Sequence, residues 1–280
     1  MLMVQSLLIQ FIIGYELYHS VHSVPIHGNP VKKVSENKYP FVVSFQSNFH
    51  LVPPKHFCGG VLISEKHVLT AAHCIVANAF KDNVKIYAGS QKLNSLDMKT
   101  FYPKSWLTFG EWDSWQKHPS GSNDDIAVVK LNVDNTGISP ITFRLPSEEF
   151  PEAMPLLLVG WGHAKGAQFP KVLREAYLKM VSKEVCENRT RLLENFFYMV
   201  TADDKNDYKH DSAMCSVGQK PFALGGSGDD GSPLIDENKN LAGIFIGARP
   251  GLQHHHRHQY NYGLNVNHYR NFIEYAVRTL

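Results

Sequence analysis

Three short stretches of this 280-residue chain carry side chains that could act together on an acyl group. They are LTAAHC, which contains His73, NDDIAVVKL, which contains Asp125, and GSGDDGSPL, which runs from Gly226 to Leu234. Amide hydrolysis needs a hydroxyl nucleophile, a histidine that takes its proton, an acid that holds the histidine, and backbone N–H donors for the oxyanion. An acid that leads into an apolar run needs a partner once it is buried, and an imidazole N–H is a suitable one.

The three stretches resemble the catalytic motifs of the chymotrypsin/trypsin family of serine proteases. In that family a CGG strand precedes LTAAHC, the aspartate segment ends in DIALLKL, and the catalytic turn is GDSGGPL. This chain has CGG from Cys58, LTAAHC up to Cys74, and DIAVVKL from Asp125. The resemblance implies that His73 is the general base, that Asp125 orients it, and that Asp124 is a solvated neighbour.

The third stretch departs from the family pattern at the nucleophile. When the two turns are aligned by their closing Pro-Leu, Asp230 stands at the position of the reactive serine. The main-chain amides of Gly228 and Asp230 could still form the oxyanion hole, since backbone donors do not depend on the side chain. Attack by a carboxylate on a peptide would give an anhydride, and a carboxylate beside His73 would hold the ring as imidazolium. We therefore expect no peptidase activity.

Two serines in the same stretch provide an alternative hypothesis. Ser227 lies three positions before Asp230, and Ser232 lies two positions after it. Either one would have to break the register that the flanking Gly, Asp and Pro residues set. An active serine endopeptidase with a displaced nucleophile is therefore the second interpretation.

The residues of the substrate pocket also differ from the family. The resemblance places Leu224 at the pocket base, where trypsin-like members recognise basic side chains, and Ile246, Gly247 and Ala248 replace the family's Ser-Trp-Gly strand. Recognition of Arg or Lys is therefore not expected. The favoured function is binding, as a decoy, cofactor or inhibitor of proteolytic cascades. The expected partner is extracellular: a protease, a protease substrate or an inhibitor.

Asp229 keeps the position of the family aspartate that pairs with an N-terminal amine after activation. The sequence from Ile26 resembles the family's mature start, but Pro25 precedes it where tryptic activation requires Arg or Lys. Tryptic cleavage at this bond is therefore not expected. A mature chain that begins at Val24 would leave Asp229 without that cation.

The first 23 residues have the pattern of a secretory signal peptide. Residues 1–13 are largely apolar, and the polar stretch that follows contains the small residues Ser20 and Ser23. The apolar run is shorter than the roughly 20 residues that span a membrane. We therefore expect cleavage after Ser23, a secreted trypsin-like domain over residues 24–280, and no membrane anchor.

Composition and charge argue against other classes of function. The chain is 43% hydrophobic, 19% charged and has a formal net charge of +2, as expected for a globular protein. Its 28 basic residues are scattered rather than arranged in a stripe. Binding to nucleic acid is therefore not expected.

Four cysteines in a secreted chain predict two disulfides, and spacing alone leaves three pairings open. The resemblance implies that Cys58 pairs with Cys74 and Cys186 with Cys215. No CxxC pair is present, so a zinc site through these thiols is disfavoured and no cofactor is expected.

Two further features concern modification and metal binding. The sequon at Asn188 is a candidate glycosylation site if it is exposed. The run HHHRH, His254 to His258, could bind Zn or Cu or form a pH-sensitive patch, although a solvated loop is the favoured interpretation. A metal held by His73, Asp125 and Asp230 is a weaker alternative.

Strand patterns dominate the rest of the chain. Alternation in YPFVVSFQS and the apolar run LAGIFIGA predict strands, whereas YRNFIEYAVRTL has the periodicity of a helix. The segment Asp97 to Ser122 predicts surface loops with one strand at most, with Trp112 and Trp115 covering the core edge. The resemblance covers about Ile26 to Leu280. It implies an all-β fold of two six-stranded antiparallel barrels, the site between them, and a C-terminal α-helix.

Overall fold

A computed structural model describes residues 31–35, 37–48, 54–77, 81–116, 124–144, 150–162, 170–182, 184–186, 212–218, 225–249 and 260–280. Five predictions lie outside these residues: the signal peptide, the mature N-terminus around Val24 and Ile26, the sequon at Asn188, the pocket residue Leu224 and the run His254 to His258.

Most of the regular secondary structure in the described residues is β-strand. The strands are β1 Val31–Lys33, β2 Val42–Ser47, β3 His56–Leu62, β4 His67–Thr70, β5 Val84–Ala88, β6 Lys99–Phe101, β7 Pro103–Thr108, β8 Ala127–Leu131, β9 Pro155–Gly160, β10 Arg174–Met180, β11 Ala213–Gly218, β12 Pro233–Asp236, β13 Leu241–Arg249 and β14 Tyr260–Asn265. The helices are α1 Ala72–Val76, α2 Phe109–Trp115 and α3 Arg270–Thr279, and a 3-10 turn spans Lys81–Asn83.

The C-terminal sheet forms a closed barrel. Its strand order is β1-β10-β11-β14-β13-β12-β9, and β9 also pairs with β10. That pairing closes six strands on themselves, while β1 adds to the other edge of β10. The closed antiparallel barrel and helix α3 confirm the predicted all-β fold.

The N-terminal sheet is curled rather than closed by pairing. It contains seven strands in the order β6-β5-β2-β3-β4-β8-β7. Within the described residues, no strand pairing joins β6 to β7. Only Tyr102 separates these two strands along the chain, so covalent continuity bends the two ends of the sheet toward each other. The expected second barrel is therefore a curled half-barrel of seven strands.

The prediction of loops over residues 97–122 is wrong for the part that the structure describes. This part forms β6, β7 and helix α2. Thr108 caps α2 in a capping box with Glu111, which satisfies amides that a short helix would otherwise leave unpaired. Trp112 packs on Phe272, as expected for a residue that covers the core edge, whereas 59% of Trp115 is exposed.

Two disulfides are present in the described residues, and one of them braces the helix that carries His73. Cys58 on β3 is bonded to Cys74 on α1, and Cys186 is bonded to Cys215 on β11. Both pairings match those implied by the family resemblance. No helix within the described residues is long and apolar enough to cross a membrane.

Candidate active site

Strand pairing brings His73 and Asp125 together. Thr70, the last residue of β4, pairs with Ala127, the first residue of β8. His73 follows Thr70 by three residues, and Asp125 precedes Ala127 by two. Asp125 accepts the backbone N–H of His73 through Oδ1 at 2.8 Å and contacts Nδ1 of the ring through Oδ2 at 2.6 Å. Two bonds to one carboxylate fix the ring's orientation, as the motif predicts.

The electrostatics of His73 favour its protonated form. Burial alone would lower the pKa of the imidazole, but the hydrogen bond and charge of Asp125, together with the charge of Asp230, raise the pKa above its usual value. The side chain is still 48% exposed. A ring held as imidazolium has no free lone pair with which to accept a proton from a nucleophile.

Asp124 is buried rather than solvated. Only 5% of the residue is exposed. Burial raises the pKa of the Tyr269 hydroxyl, and the charge of Asp124 raises the pKa further. Asp124 therefore acts electrostatically on the residue that precedes α3.

The turn that carries Asp230 is stabilised by its own backbone. Asp229 N–H donates to the Gly226 carbonyl at 2.9 Å, and Ser232 N–H donates to the Asp229 carbonyl at 2.8 Å. Gly228 and Gly231 have φ angles of 92° and 82°, which glycine adopts without strain. A Cβ on Gly231 would also lie 2.5 Å from a backbone oxygen of β3, so this turn requires glycine there.

A buried histidine that the sequence motifs did not single out anchors the turn to the N-terminal sheet. His56 Nε2 lies 2.8 Å from the carbonyl oxygen of Gly228, and Nδ1 lies 2.8 Å from the hydroxyl of Ser44. Because a carbonyl only accepts, Nε2 must carry the proton and Nδ1 must accept from Ser44. The one available signal was its position, two residues before Cys58 in the CGG motif.

Asp230 lies in a turn that packs against β3, and its carboxyl interacts electrostatically with His73 and Asp125. Gly59 N–H donates to its carbonyl oxygen at 2.8 Å, which seats the turn against β3. Burial raises the pKa of its carboxyl above the usual value. The charge of His73 opposes this rise and the charge of Asp125 adds to it. The structure therefore brings Asp230 into the same site as His73 and Asp125.

The two neighbouring serines differ in environment. Ser227 is exposed on the turn. Ser232 is fully buried, and its Oγ is so close to β3 and β9 that a Cβ on Gly59 or Gly160 would lie 2.0 or 2.9 Å from it. Ser232 thus fills space between the two sheets rather than facing the cleft.

Comparison with known proteins assigns the chain to a family. The family model described as Trypsin matches residues 29–273. The chain belongs to the trypsin family. It is similar to the trypsin of Phaedon cochleariae, with 27% identity over 202 residues that cover 70% of this chain and 69% of that protein.

The described residues contain one group of side chains with the ligand types of a metal site. It consists of Cys58, His73 and Cys74, whose ligand atoms lie within 4.8 Å of one another. Both sulfurs belong to the Cys58–Cys74 disulfide, so neither can serve as a thiolate ligand. This cluster is therefore a covalent brace beside the histidine.

The strand that lines the substrate groove in this family is irregular here. The register of β13 against β14 shifts between Phe245 and Gly247, which makes Ile246 a bulge residue. Gly247 has a φ of 154°, and nothing lies within 4 Å of the position its Cβ would occupy. Ile246 packs against two hydrophobic clusters of the core, so this bulge residue serves packing.

Asp229 is the most deeply buried acid of the trypsin-family turn. Its Oδ1 accepts from Gly162 N–H at 2.7 Å and its Oδ2 from Gly226 N–H at 2.9 Å. The pKa of its carboxyl rises to about 7 because the group is fully buried. These backbone bonds limit the rise, and the charge of Asp230 adds to it.

The buried Asp229 should make folding stability fall as pH rises. Its carboxyl keeps a proton up to about pH 7 when folded but releases it near 3.8 when unfolded, so the native state binds more protons between these values. We expect the free energy of unfolding to fall by about 2 to 3 kcal/mol from pH 5 to pH 8 through this group. Urea unfolding of the native chain and of Asp229→Asn at several pH values measures it.

The difference between the two pH profiles isolates Asp229, because His73 titrates in both proteins. The Asn variant should lose the Asp229 share of the slope even if its overall stability is lower. Parallel profiles would contradict the prediction and indicate that a cation compensates the carboxylate.

Proposed function

We propose that this trypsin-family protein does not cleave peptide bonds and acts by binding another protein. The observation that carries the proposal is Asp230 in the turn beside the His73–Asp125 pair. The histidine that would activate a serine is oriented by Asp125, but the residue at the serine position has no hydroxyl. Removing the nucleophile of such a triad reduces turnover roughly a million-fold in a comparable protease.

The charges of the site support the same conclusion. A general base must be neutral to accept a proton, and Asp125 and Asp230 both favour the protonated ring of His73. Asp230 itself would attack a peptide carbonyl only to form an anhydride. The site therefore keeps the oriented histidine of a protease, while Asp230 replaces the hydroxyl and its charge favours the protonated form of that histidine.

The native protein should neither hydrolyse casein nor react with a fluorescent serine-directed phosphonate. The expected result is a labelled fraction no greater than in His73→Ala, because no hydroxyl is activated by the histidine. Gel fluorescence after incubation with the phosphonate measures it, with trypsin as the positive control.

Labelling that disappears in Ser227→Ala would contradict the proposal and identify Ser227, the exposed serine of the turn, as a displaced nucleophile. The matched variant Ser232→Ala is the control. Its hydroxyl is fully buried between the sheets, so its loss should leave labelling unchanged.

We further propose that the protein acts outside the cell. The support is the apolar N-terminal segment with small residues near Ser23 and the two disulfides, which are typical of oxidising compartments. The expected partner is a protease, a protease substrate or an inhibitor, acting with this chain as decoy, cofactor or inhibitor. N-terminal sequencing of secreted protein tests the compartment and should find Val24 first. Retention of residues 1–23 would contradict it.

A further inference from the structure

The side chain of Asn261 reaches from strand β14 to the segment that leads into the turn of Asp230. Its Oδ1 accepts the Gly225 N–H at 2.6 Å, and its Nδ2 donates to the Ser216 carbonyl on β11 at 3.5 Å. Only 1% of Asn261 is exposed. One side-chain amide therefore joins β14, β11 and the start of that segment.

The strand register places Asn261 on the inner face of the C-terminal barrel. Asn261 is directly opposite Ala248 on β13, and Ala248 packs against the core cluster of this barrel. Tyr260 and Tyr262, the neighbours of Asn261 along β14, pack with the disulfide of β11 instead. Successive side chains of a strand point to opposite faces, so Asn261 points away from the disulfide and into the barrel.

The family resemblance expects an open substrate pocket at this place. Gly225 follows Leu224, the residue expected at the pocket base, and Ala248 belongs to the strand expected along the groove. Asn261 is paired with Ala248 and bonded to Gly225, so its side chain spans the space between these two boundaries. The ring of Phe245 closes another side, because a Cβ at Gly225 would lie 2.4 Å from it.

Polar groups line the side of this space that faces β11. The hydroxyl of Ser216, directly opposite Asn261, is buried and has no hydrogen-bond partner among the residues that the structure describes. Polar atoms of a packed core are nearly always paired. An unpaired hydroxyl beside an amide is therefore typical of a pocket wall with a few polar groups.

We propose that the side chain of Asn261 closes the pocket in which trypsin-family proteases receive a substrate side chain. The amide fills this space from within the chain, and its bond to Gly225 holds it there. The partner of this protein is then bound by groups along the groove and the surrounding surface, with no side chain inserted into the pocket.

This inference deepens the proposed binding function and rests on it, because it assumes a partner rather than a substrate in the cleft. The two proposals nevertheless fail separately. Phosphonate labelling reports on the nucleophile, whereas occupation of the pocket reports on Asn261. Labelling of the native protein would leave the pocket measurement unchanged.

Acetamide binding to Asn261→Gly tests the proposal, because acetamide matches the side chain that this variant removes. Protein labelled with 15N-glycine reports on the Gly225 amide, which donates to Asn261 in the native protein. We expect its NMR signal in the variant to shift saturably with acetamide, with a Kd on the order of 1 to 100 mM for so small a ligand. The native protein should show no such shift, since its own amide fills the space.

Either of two results would overturn the proposal. A shift of the Gly225 signal in the native protein would show that the space is open, and no shift in Asn261→Gly would show that the space is sealed from the cleft. Asn261→Ala with formamide is the second pair if the glycine variant fails to fold, because the variant loses one atom fewer and formamide is one atom smaller. Asn265→Gly, at the other end of β14, is the matched control and should leave Gly225 insensitive to acetamide.

Discussion

Asp230→Ser should convert a protein that ignores serine-directed phosphonates into one that they label slowly. The variant returns a hydroxyl to the turn beside His73, whose ring is already oriented by two bonds to Asp125. It also removes the carboxylate that favours the imidazolium form, so the pKa of His73 should fall. We expect labelling to rise at least about a hundred-fold, a small part of the roughly million-fold worth of a complete nucleophile.

Two variants separate the causes of this gain. Asp230→Asn has nearly the same size as the native residue and also lacks the negative charge, but it has no hydroxyl, so it should remain unlabelled. The double variant Asp230→Ser with His73→Ala should lose the labelling, because the hydroxyl then has no base. Labelling that survives the loss of His73 would contradict the triad assignment.

The restored nucleophile should not produce efficient cleavage after Arg or Lys. Chemistry depends on binding the substrate as well as on the triad, and the resemblance places an uncharged residue, Leu224, at the pocket base. Turnover of fluorogenic Arg and Lys peptides by Asp230→Ser measures this. Robust trypsin-like turnover would leave the nucleophile assignment intact and show that the pocket prediction is wrong.

Arg144→Leu should cause a large loss of stability, because it removes one partner of a buried ion pair. Arg144 lies on the connection between the two sheets, and its NH1 binds Oδ2 of Asp236 at 3.0 Å. The Asp236 side chain is fully buried, so the variant leaves a carboxylate without its cation. Such a change costs about 3 to 5 kcal/mol, or about 10 °C in Tm for a chain of this size. Thermal and urea unfolding measure it.

A matched exposed pair provides the control. Arg270 and Glu274 are four residues apart on α3 and 3.8 Å from each other, and Glu274 is exposed, so Glu274→Gln should change stability by about 0.5 kcal/mol at most. The double variant Arg144→Leu with Asp236→Leu should recover much of the loss, because it removes the stranded charge. A double variant as unstable as the single one would show that packing, not charge, accounts for the effect.

The local sequence motifs were sufficient to predict much of the site. CGG, LTAAHC and DIAVVKL place His73 and Asp125 on elements whose pairing brings the two residues together, and the spacing of Cys58 and Cys74 within those motifs matches the observed disulfide. The periodicity of YRNFIEYAVRTL also predicted the terminal helix α3, whose buried residues recur at helical spacing. The prediction of loops failed over residues 97–116. The aromatic residues there show little periodicity, and the prediction did not use the Thr108–Glu111 capping box with which α2 begins.

By itself the sequence determined the family, the strands and the presence of an aspartate where the family has a serine, because these depend on residue types at short spacings. Only the tertiary structure decided the surroundings of that aspartate. His56 and Gly228 are 172 residues apart, and the hydrogen bond between them holds the turn of Asp230 against the N-terminal sheet. The tertiary structure likewise decided that Asp124 and Ser232 are buried. Such contacts arise when two sheets pack together, and no local pattern specifies which side chain will face the contact between the sheets.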